Sequence, residues 1–531
     1  MLGAAPRYTA VFPLHNEVLS MRRTLRIATG VLALGALLAL NACSDSAGES
    51  GEKSKTLTIG TMTPARSMDP VDSGGGSIPF YQAVYDTLIK REPDGKLSPM
   101  LASAWKYDPA GTRLTLTVRD GVTFDDGKPV DAQAVKANLD RFRAAGAAEN
   151  AQALSTKSVE VVDPKTVVIT LNGPDPALLD SLSDAYGFIA NPAKFGQDKP
   201  FATTPDGTGP YRLNAEATMA GTQWTFTRKD KYWGQAPPFD TVTIHVFDNE
   251  NAIVNGLKTN QIRAAVLQSV DQQVAATSGT RFKTAMQEID LKLLNIFDRK
   301  GAKVPALGDP RVRQAINYAI DRDVLVEQIQ QGRGTATSQM WGTQAPGYVK
   351  ELDGFYRHDP AKAKALLAEA GYPGGFKLTL PRLTALVPDS LAEAMKSDLA
   401  AVGITLTWDD LDRVSFLTKT FREFKYPGVV MNGGQPAKDW ATVSGSILPK
   451  TIANPFGDTD ATIQDLTAKI RSAEPAQAAQ YTQQLNRHIV EQAWYVPLYR
   501  MQYLHVTVPT ITVVPQAGLA VPALYNYQPA A

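Results

Sequence analysis

Asp309–Arg322 reads DPRVRQAINYAIDR, and its pattern sets the class of fold. Asp309 offers a side-chain oxygen to an orphan backbone N–H at a helix start, and Pro310 suits the first helical position. Val312, Ala315, Ile316, Ala319 and Ile320 follow at i, i+3, i+4 spacing and predict one buried helical face. The grammar returns twice downstream. Asp359-Pro360 starts a helix whose Leu366, Leu367 and Ala370 run into Gly371 as a stop, and Phe376, Leu378 and Leu380 then alternate as a strand. A helix over about 390–402 stops at Gly403, and Ile404, Leu406 and Trp408 alternate after it. Helices alternating with strands predict an α/β lobe.

The chain before residue 300 reads differently. A short alternating strand over Thr56–Gly60 begins the folded part. Arg113–Val118 (RLTLTV) places Leu114, Leu116 and Val118 on one face of a strand. Ser158–Val162 and Thr166–Leu171 flank the turn sequence Asp163-Pro164-Lys165 and predict a hairpin. Residues 90–205 therefore read as β-rich, with a helix near 131–143.

The 531 residues leave room for two to four domains. Hydrophobic content of 44% with 20% charged residues is that of a globular protein. Lys and Arg number 54 against 53 Asp and Glu, so no basic footprint for nucleic acid is present. The single cysteine rules out a disulfide framework and a Cys-clustered zinc or iron–sulfur site.

That cysteine closes a recognisable N-terminal pattern. Met21–Arg26 (MRRTLR) is basic, Ile27–Leu40 is apolar apart from Thr29, Gly30 and Gly35, and Leu40-Asn41-Ala42-Cys43 follows. A basic region, a short apolar run and a small residue before the cut predict a secretory signal over 1–42, with Met21 as the expected translation start. The apolar run is short of the roughly 20 residues that span a membrane. Leu-x-Ala-Cys resembles a bacterial lipobox, which implies a lipidated Cys43 as the mature N-terminus. Residues 1–42 carry Arg7, Arg22, Arg23 and Arg26 against Glu17, so the remainder is near −2. Residues 43–55, polar and Gly/Ser-rich, read as a flexible tether.

Catalytic constellations are few. The sequence holds no Gly-x₄-Gly-Lys-Ser/Thr loop, no Gly-x-Ser-x-Gly elbow and no His-Glu-x-x-His helix. His15, His245, His358, His488 and His505 are scattered without metal-ligand spacing, and Asp125-Asp126, followed by Gly-Lys-Pro, reads as a turn. The expectation is a protein that is not an enzyme, with no cofactor and no metal.

Six segments carry a family resemblance: Leu116–Val130 (LTVRDGVTFDDGKPV), Asp206–Tyr211 (DGTGPY), Lys231–Asp240 (KYWGQAPPFD), Asp309–Arg322, Asp359–Tyr372 (DPAKAKALLAEAGY) and Tyr495–Tyr499 (YVPLY). In that order they resemble the solute-binding proteins of peptide and nickel ABC importers, the family of dipeptide- and oligopeptide-binding proteins. The resemblance implies an α/β, periplasmic-binding-protein-like two-lobed fold with an extra β-rich domain. Domain I is expected over 56–88, 212–292 and 506–531, domain II as an insertion at 89–211, and domain III over 293–505. Crossings near Leu291–Phe297 and Tyr499–His505 would form the hinge between lobes I and III. The motif residues read as structural: Gly207, Gly209 and Pro210 as a tight crossing, and Arg311, Arg313 and Asp321 as ion-pairing anchors of a helix.

The resemblance also implies the role. The chain is expected to be a lipid-anchored extracytoplasmic receptor that captures short peptides by lobe closure and hands them to a permease. Expected partners are the ABC permease and ATPase subunits and the membrane through Cys43, with no nucleic acid, and the receptor is expected to be a monomer. A nickel chelate, opine, heme or oligosaccharide is the alternative solute, and a secreted hydrolase is the distant alternative. Peptide-binding relatives carry a Trp-x-x-Asp-Tyr-x-Asp-Pro-like segment whose first Asp takes the amine. Met431–Trp440 (MNGGQPAKDW) stands in its place with Gln435-Pro436 where Asp-Tyr is expected, leaving Asp439 as the candidate substitute. Tyr81, Met340, Trp341, Asn432, Trp440 and Tyr503 complete the expected pocket, aromatics offering large contact area at low entropy cost. Gly74–Ser77 reads equally as a ligand-facing backbone loop and as a plain loop.

Overall fold

The computed structural model describes residues 55–145, 155–196, 200–279 and 282–530. Cys43, the expected signal segment and the expected tether up to residue 54 lie outside the described residues. A nine-stranded sheet runs through most of the molecule. Its order is Gly428–Gly434, Lys283–Ile296, Tyr495–Thr507, Ala264–Leu267, Thr56–Thr61, Thr241–Val246, Gln223–Arg228 and Tyr211–Leu213, with Gly334–Ala336 also paired to Tyr495–Thr507.

Two of these strands are far longer than the rest. Lys283–Ile296 and Tyr495–Thr507 run antiparallel from Lys283 opposite Thr507 to Asn295 opposite Tyr495. At one end Leu504–Thr507 pair with Ala264–Leu267, and at the other Asp290–Ile296 pair with Gly428–Gly434. The two halves of the molecule thus share one ladder. Its register breaks between Glu288 and Asp290 and again between Lys292 and Leu293, irregularities that bend a strand locally.

The β-rich segment forms a separate four-stranded antiparallel sheet, in the order Ala102–Tyr107, Arg113–Val118, Thr166–Leu171, Thr156–Asp163. Arg113–Val118 alternates as its sequence demands, with Leu114, Leu116 and Val118 buried. Thr156–Asp163 and Thr166–Leu171 are the expected hairpin. Helix Ala132–Ala145 covers this sheet through Val135, Leu139 and Phe142, giving the insertion its own core.

Past residue 300 the alternation of helix and strand is also realised. Helix Pro310–Ala319 begins on Asp309, whose carboxylate accepts from Arg311 N at 2.8 Å, and it buries Val312, Ala315, Ile316 and Ala319. Strands Lys377–Arg382 and Thr405–Asp410 pair in parallel, joined through helix Asp389–Ala400. The glycine crossing holds as well. A Cβ on Gly207 or Gly209 would lie 2.6 or 2.7 Å from Val84 O, so only glycine admits this approach.

The anchoring arginines act differently from one another. Arg311 pairs with Asp309 at the surface, as expected. Arg313 is buried and donates instead to the carbonyls of Leu307 (2.8 Å), Gln492 (2.8 Å) and Ala493 (3.2 Å). Asp321 caps helix Arg322–Ile329 and pairs with His358 Nδ1 at 3.0 Å. Arg322 is a second buried cation held by carbonyls, including Asn317 O at 2.8 Å and Pro497 O at 2.7 Å on the long strand. Burial pushes both guanidinium groups down to about 10, and aligned carbonyl dipoles take the place of counter-charges.

Arg500, fully buried on the same strand, does have a counter-charge. Asp353 accepts from it and also from Thr337 Oγ1 at 2.7 Å, Gln339 Nε2 at 2.8 Å and Tyr348 Oη at 2.6 Å. Breaking such a pair leaves a buried charge unanswered. Asp353→Ala is expected to cost about 3–5 kcal/mol of folding free energy, read by urea denaturation. A loss below about 1 kcal/mol, the level of an exposed pair, would contradict this assignment.

Candidate functional site

The insertion, the α/β lobe and the C-terminal segment meet at a crevice with two small chambers. The first, about 200 Å³, is walled by Ala177, Asp180 and Asp184 of the insertion, by Pro436 and Lys438 of the α/β lobe, and by Gly518. The second, about 150 Å³, adds Gly75 and Gly76 on one side and Gln516 and Tyr525 on the other. Arg91 and Asp184 line both chambers.

The local chain explains the positions of these charges. Leu178–Ser181 is a single helical turn, and Asp184 caps the next short turn, Ala185–Gly187, by accepting from Ala185 N at 2.9 Å. Leu178, Leu182 and Tyr186 anchor this stretch in the insertion core, which leaves Asp180 and Asp184 facing the crevice. Arg91, on strand Ile89–Arg91, donates to Ser183 Oγ at 3.2 Å and Asp180 O at 2.9 Å, and its guanidinium lies 3.5 Å from Asp180 Oδ1. That Oδ1 is buried and makes no hydrogen bond. Burial raises both carboxyls above the usual carboxylate range, while Arg91 acts against the shift.

The walls touch directly at their rims. Gly518 N donates to Gln344 Oε1 at 3.1 Å, and a Cβ on Gly518 would stand 2.5 Å from Ala437 N. Arg471 of helix Ala461–Ser472 donates to Pro174 O of the insertion at 2.6 Å.

The residues expected from sequence fall into three groups. Met340, Trp341 and Trp440 come together in one hydrophobic cluster with Leu291, Leu293 and Tyr495. Tyr81 is buried in the first lobe, its hydroxyl donating to Ser67 O at 2.9 Å, and Tyr503 is buried with its hydroxyl on Asp290. Asn432 lies on Gly428–Gly434 opposite Lys292, and Asp439 turns its carboxylate to Gly347 N at 2.8 Å and to Thr482. The stretch around Gln435-Pro436 does reach the crevice, through Pro436, Ala437 and Lys438. Gly75 and Gly76 of the glycine loop line the second chamber. Sequence reading missed Arg91, Asp180 and Asp184. The one signal, for the two acids, is their spacing of four within Leu178–Tyr186 (LLDSLSDAY), where Leu178, Leu179, Leu182, Ala185 and Tyr186 are apolar.

Among the described residues no His, Cys, Asp and Glu cluster could hold a metal, and no helix is long and apolar enough to cross a membrane. Residues 96–453, more than half the chain, match the model of bacterial extracellular solute-binding proteins, family 5 Middle. A glutathione-binding protein, GsiB, of Salmonella paratyphi A is 30% identical over 354 residues, spanning 65% of this chain and 67% of that protein. Among solved structures, DppA from Helicobacter pylori in complex with peptide STSA aligns at TM-score 0.74 and 21% identity, covering 90% of this chain and 99% of that one. AgaA in complex with agropinic acid, from A. tumefacien R10, aligns at TM-score 0.72 and 25% identity over the same shares.

Burial raises the Asp439 carboxyl to about 6, against roughly 4 in an unfolded chain. A carboxyl raised on folding contributes stability that is full below the unfolded value and lost as pH climbs through the folded one. Asp439→Asn keeps an acceptor for Gly347 N–H without the charge. It is expected to flatten the fall in stability between pH 4 and 6 and to raise stability at pH 7 by about 1–2 kcal/mol. Denaturation across that range reads the effect, and an unchanged pH slope would contradict it.

Proposed function

The chain belongs to the family 5 bacterial extracellular solute-binding proteins, and we propose that it captures short peptides with a free amine in the crevice between its lobes. Members of this family are substrate-binding receptors of ABC importers rather than enzymes. The observation that carries the peptide reading is the charge set of Arg91, Asp180 and Asp184, gathered at chambers walled by separate parts of the chain.

A solute ammonium would sit against Asp180 and Asp184, giving the buried Oδ1 of Asp180 a donor it lacks. Arg91 and Lys438 would face the solute's carboxylate, and the glycine loop would offer backbone groups. The amine is thereby answered from the insertion wall, whereas the family's usual Asp position holds Gln435-Pro436. Capture would proceed by closure of the walls about the long strand pair, with domain I at 56–88, 212–292 and 506–531, domain II at 89–211 and domain III at 293–505. A lipidated Cys43 and the tether would hold the receptor at the outer face of the membrane, beside its permease. The GsiB relative supports a small peptide-like solute, because glutathione is itself a tripeptide built through a side-chain amide. The AgaA likeness, together with the altered amine segment, supports a non-peptide solute as the second reading.

Calorimetric titration with glutathione and a set of tripeptides, each compared with its N-acetylated form, separates these. Acetylation is expected to weaken binding at least tenfold, about 1.4 kcal/mol, and Asp184→Asn to remove most of that discrimination. Equal binding of the free and acetylated peptides would overturn the amine reading. Binding of an opine with no response to any peptide would favour the second.

A further inference from the structure

A cavity of about 940 Å³, larger than either chamber of the crevice, opens between the insertion and the first lobe. Its size is that of a small-molecule site. Tyr525 and Gln82 stand between it and the crevice and line both. Two segments that mark the family in sequence meet in its walls: the turn Arg119-Asp120-Gly121 and the stretch Tyr232–Pro238. Neither takes part in the crevice.

The walls are held firmly. Asp86, buried beneath them, accepts from Tyr232 Oη at 2.9 Å, Trp233 Nε1 at 2.7 Å and Thr208 Oγ1 at 2.9 Å. This fixes two aromatic rings that remain partly exposed to the cavity. Arg119 lies over one of them, its guanidinium carbon 5.3 Å from the Trp233 ring centre, with Nε donating to Met100 O at 2.6 Å.

Two cations, Lys90 and Arg119, and three carboxylates, Asp86, Glu92 and Asp120, line the cavity. Lys90 is paired with Glu92 at 2.9 Å, and Asp120 with Lys165 at 2.6 Å. Asp86 is fully engaged below the surface. No carboxylate pairs with Arg119 among the described residues. What the cavity leaves uncommitted is a planar cation with its two terminal nitrogens unspent, on an aromatic wall, and the exposed Val514 lines the same cavity.

We propose that this cavity is a second ligand site, for a small organic anion with a flat aromatic body. The ring would pack against Tyr232 and Trp233, whose planes are tilted 55° to each other, and the carboxylate would take the two free nitrogens of Arg119 as a bidentate acceptor. It is distinct in place from the crevice, since neither Arg119 nor Trp233 lines either chamber.

Titration of the full chain with naphthoate and with its uncharged amide, naphthamide, tests this. Naphthoate is expected to bind at least tenfold more tightly than naphthamide. Arg119→Gln should abolish the difference, and Asp184→Asn should leave it in place. Should Arg119→Gln fail to fold, Val514→Asp adds a negative charge to the cavity lining and is expected to weaken naphthoate severalfold, with Val514→Ser unchanged. No naphthoate binding at millimolar concentration, equal affinity for the two probes, or loss on Asp184→Asn would each overturn the proposal.

Discussion

One ladder of hydrogen bonds, between Lys283–Ile296 and Tyr495–Thr507, carries the architecture. Both halves of the large sheet are built onto it, at opposite ends. The strands on either side of the molecule are therefore joined through these two strands. The register breaks at Glu288/Asp290 and Lys292/Leu293 lie in the stretch where the partner strands change. Around that stretch the side chains are unusually polar for so buried a place. Asp290 accepts from Tyr503, Lys292 donates to Leu386 O at 2.7 Å, and His505 meets Gln287 at 3.1 Å. Burial lowers Lys292 to about 8 and His505 to about 4.

Buried charge is used in two distinct ways. Three buried cations of the α/β lobe find their partners within the fold: Arg313 and Arg322 in carbonyls, Arg500 in Asp353. Such groups fix the geometry and have little capacity left for a solute. At the crevice the balance is incomplete, since Asp180 Oδ1 has only a distant guanidinium and Asp184 spends one oxygen on a backbone N–H. The proposed binding wall relies on this incomplete satisfaction beside an opening, because the missing partner can be supplied from outside.

The elements were legible in the sequence where local rules act alone. The N-caps Asp309 and Asp359, the alternation of Arg113–Val118 and the turn at Asp163–Lys165 each need only neighbours along the chain. The crevice was less legible for a physical reason. Arg91, Asp184, Lys438 and Gln516 are separated by up to several hundred residues and meet only through the sheet order. Aromatic residues chosen as pocket candidates are, in the case of Trp341 and Trp440, members of a packed cluster. A large ring serves a core and a pocket equally well, and composition alone does not separate the two uses. Arg313 makes the same point for charge. In the sequence it reads as an ion-pairing anchor of its helix, while the partners that satisfy it are carbonyls, among them those of residues 492–493 brought up by tertiary folding.

Capture by closure of the crevice about the long strand pair is the claim on which the functional account rests. Small-angle X-ray scattering of the full chain, recorded before and after saturation with a tripeptide that calorimetry shows to bind, tests it most directly. The account predicts a more compact particle at saturation, with the change tracking fractional occupancy. A bound peptide with an unchanged scattering curve at every occupancy would contradict it.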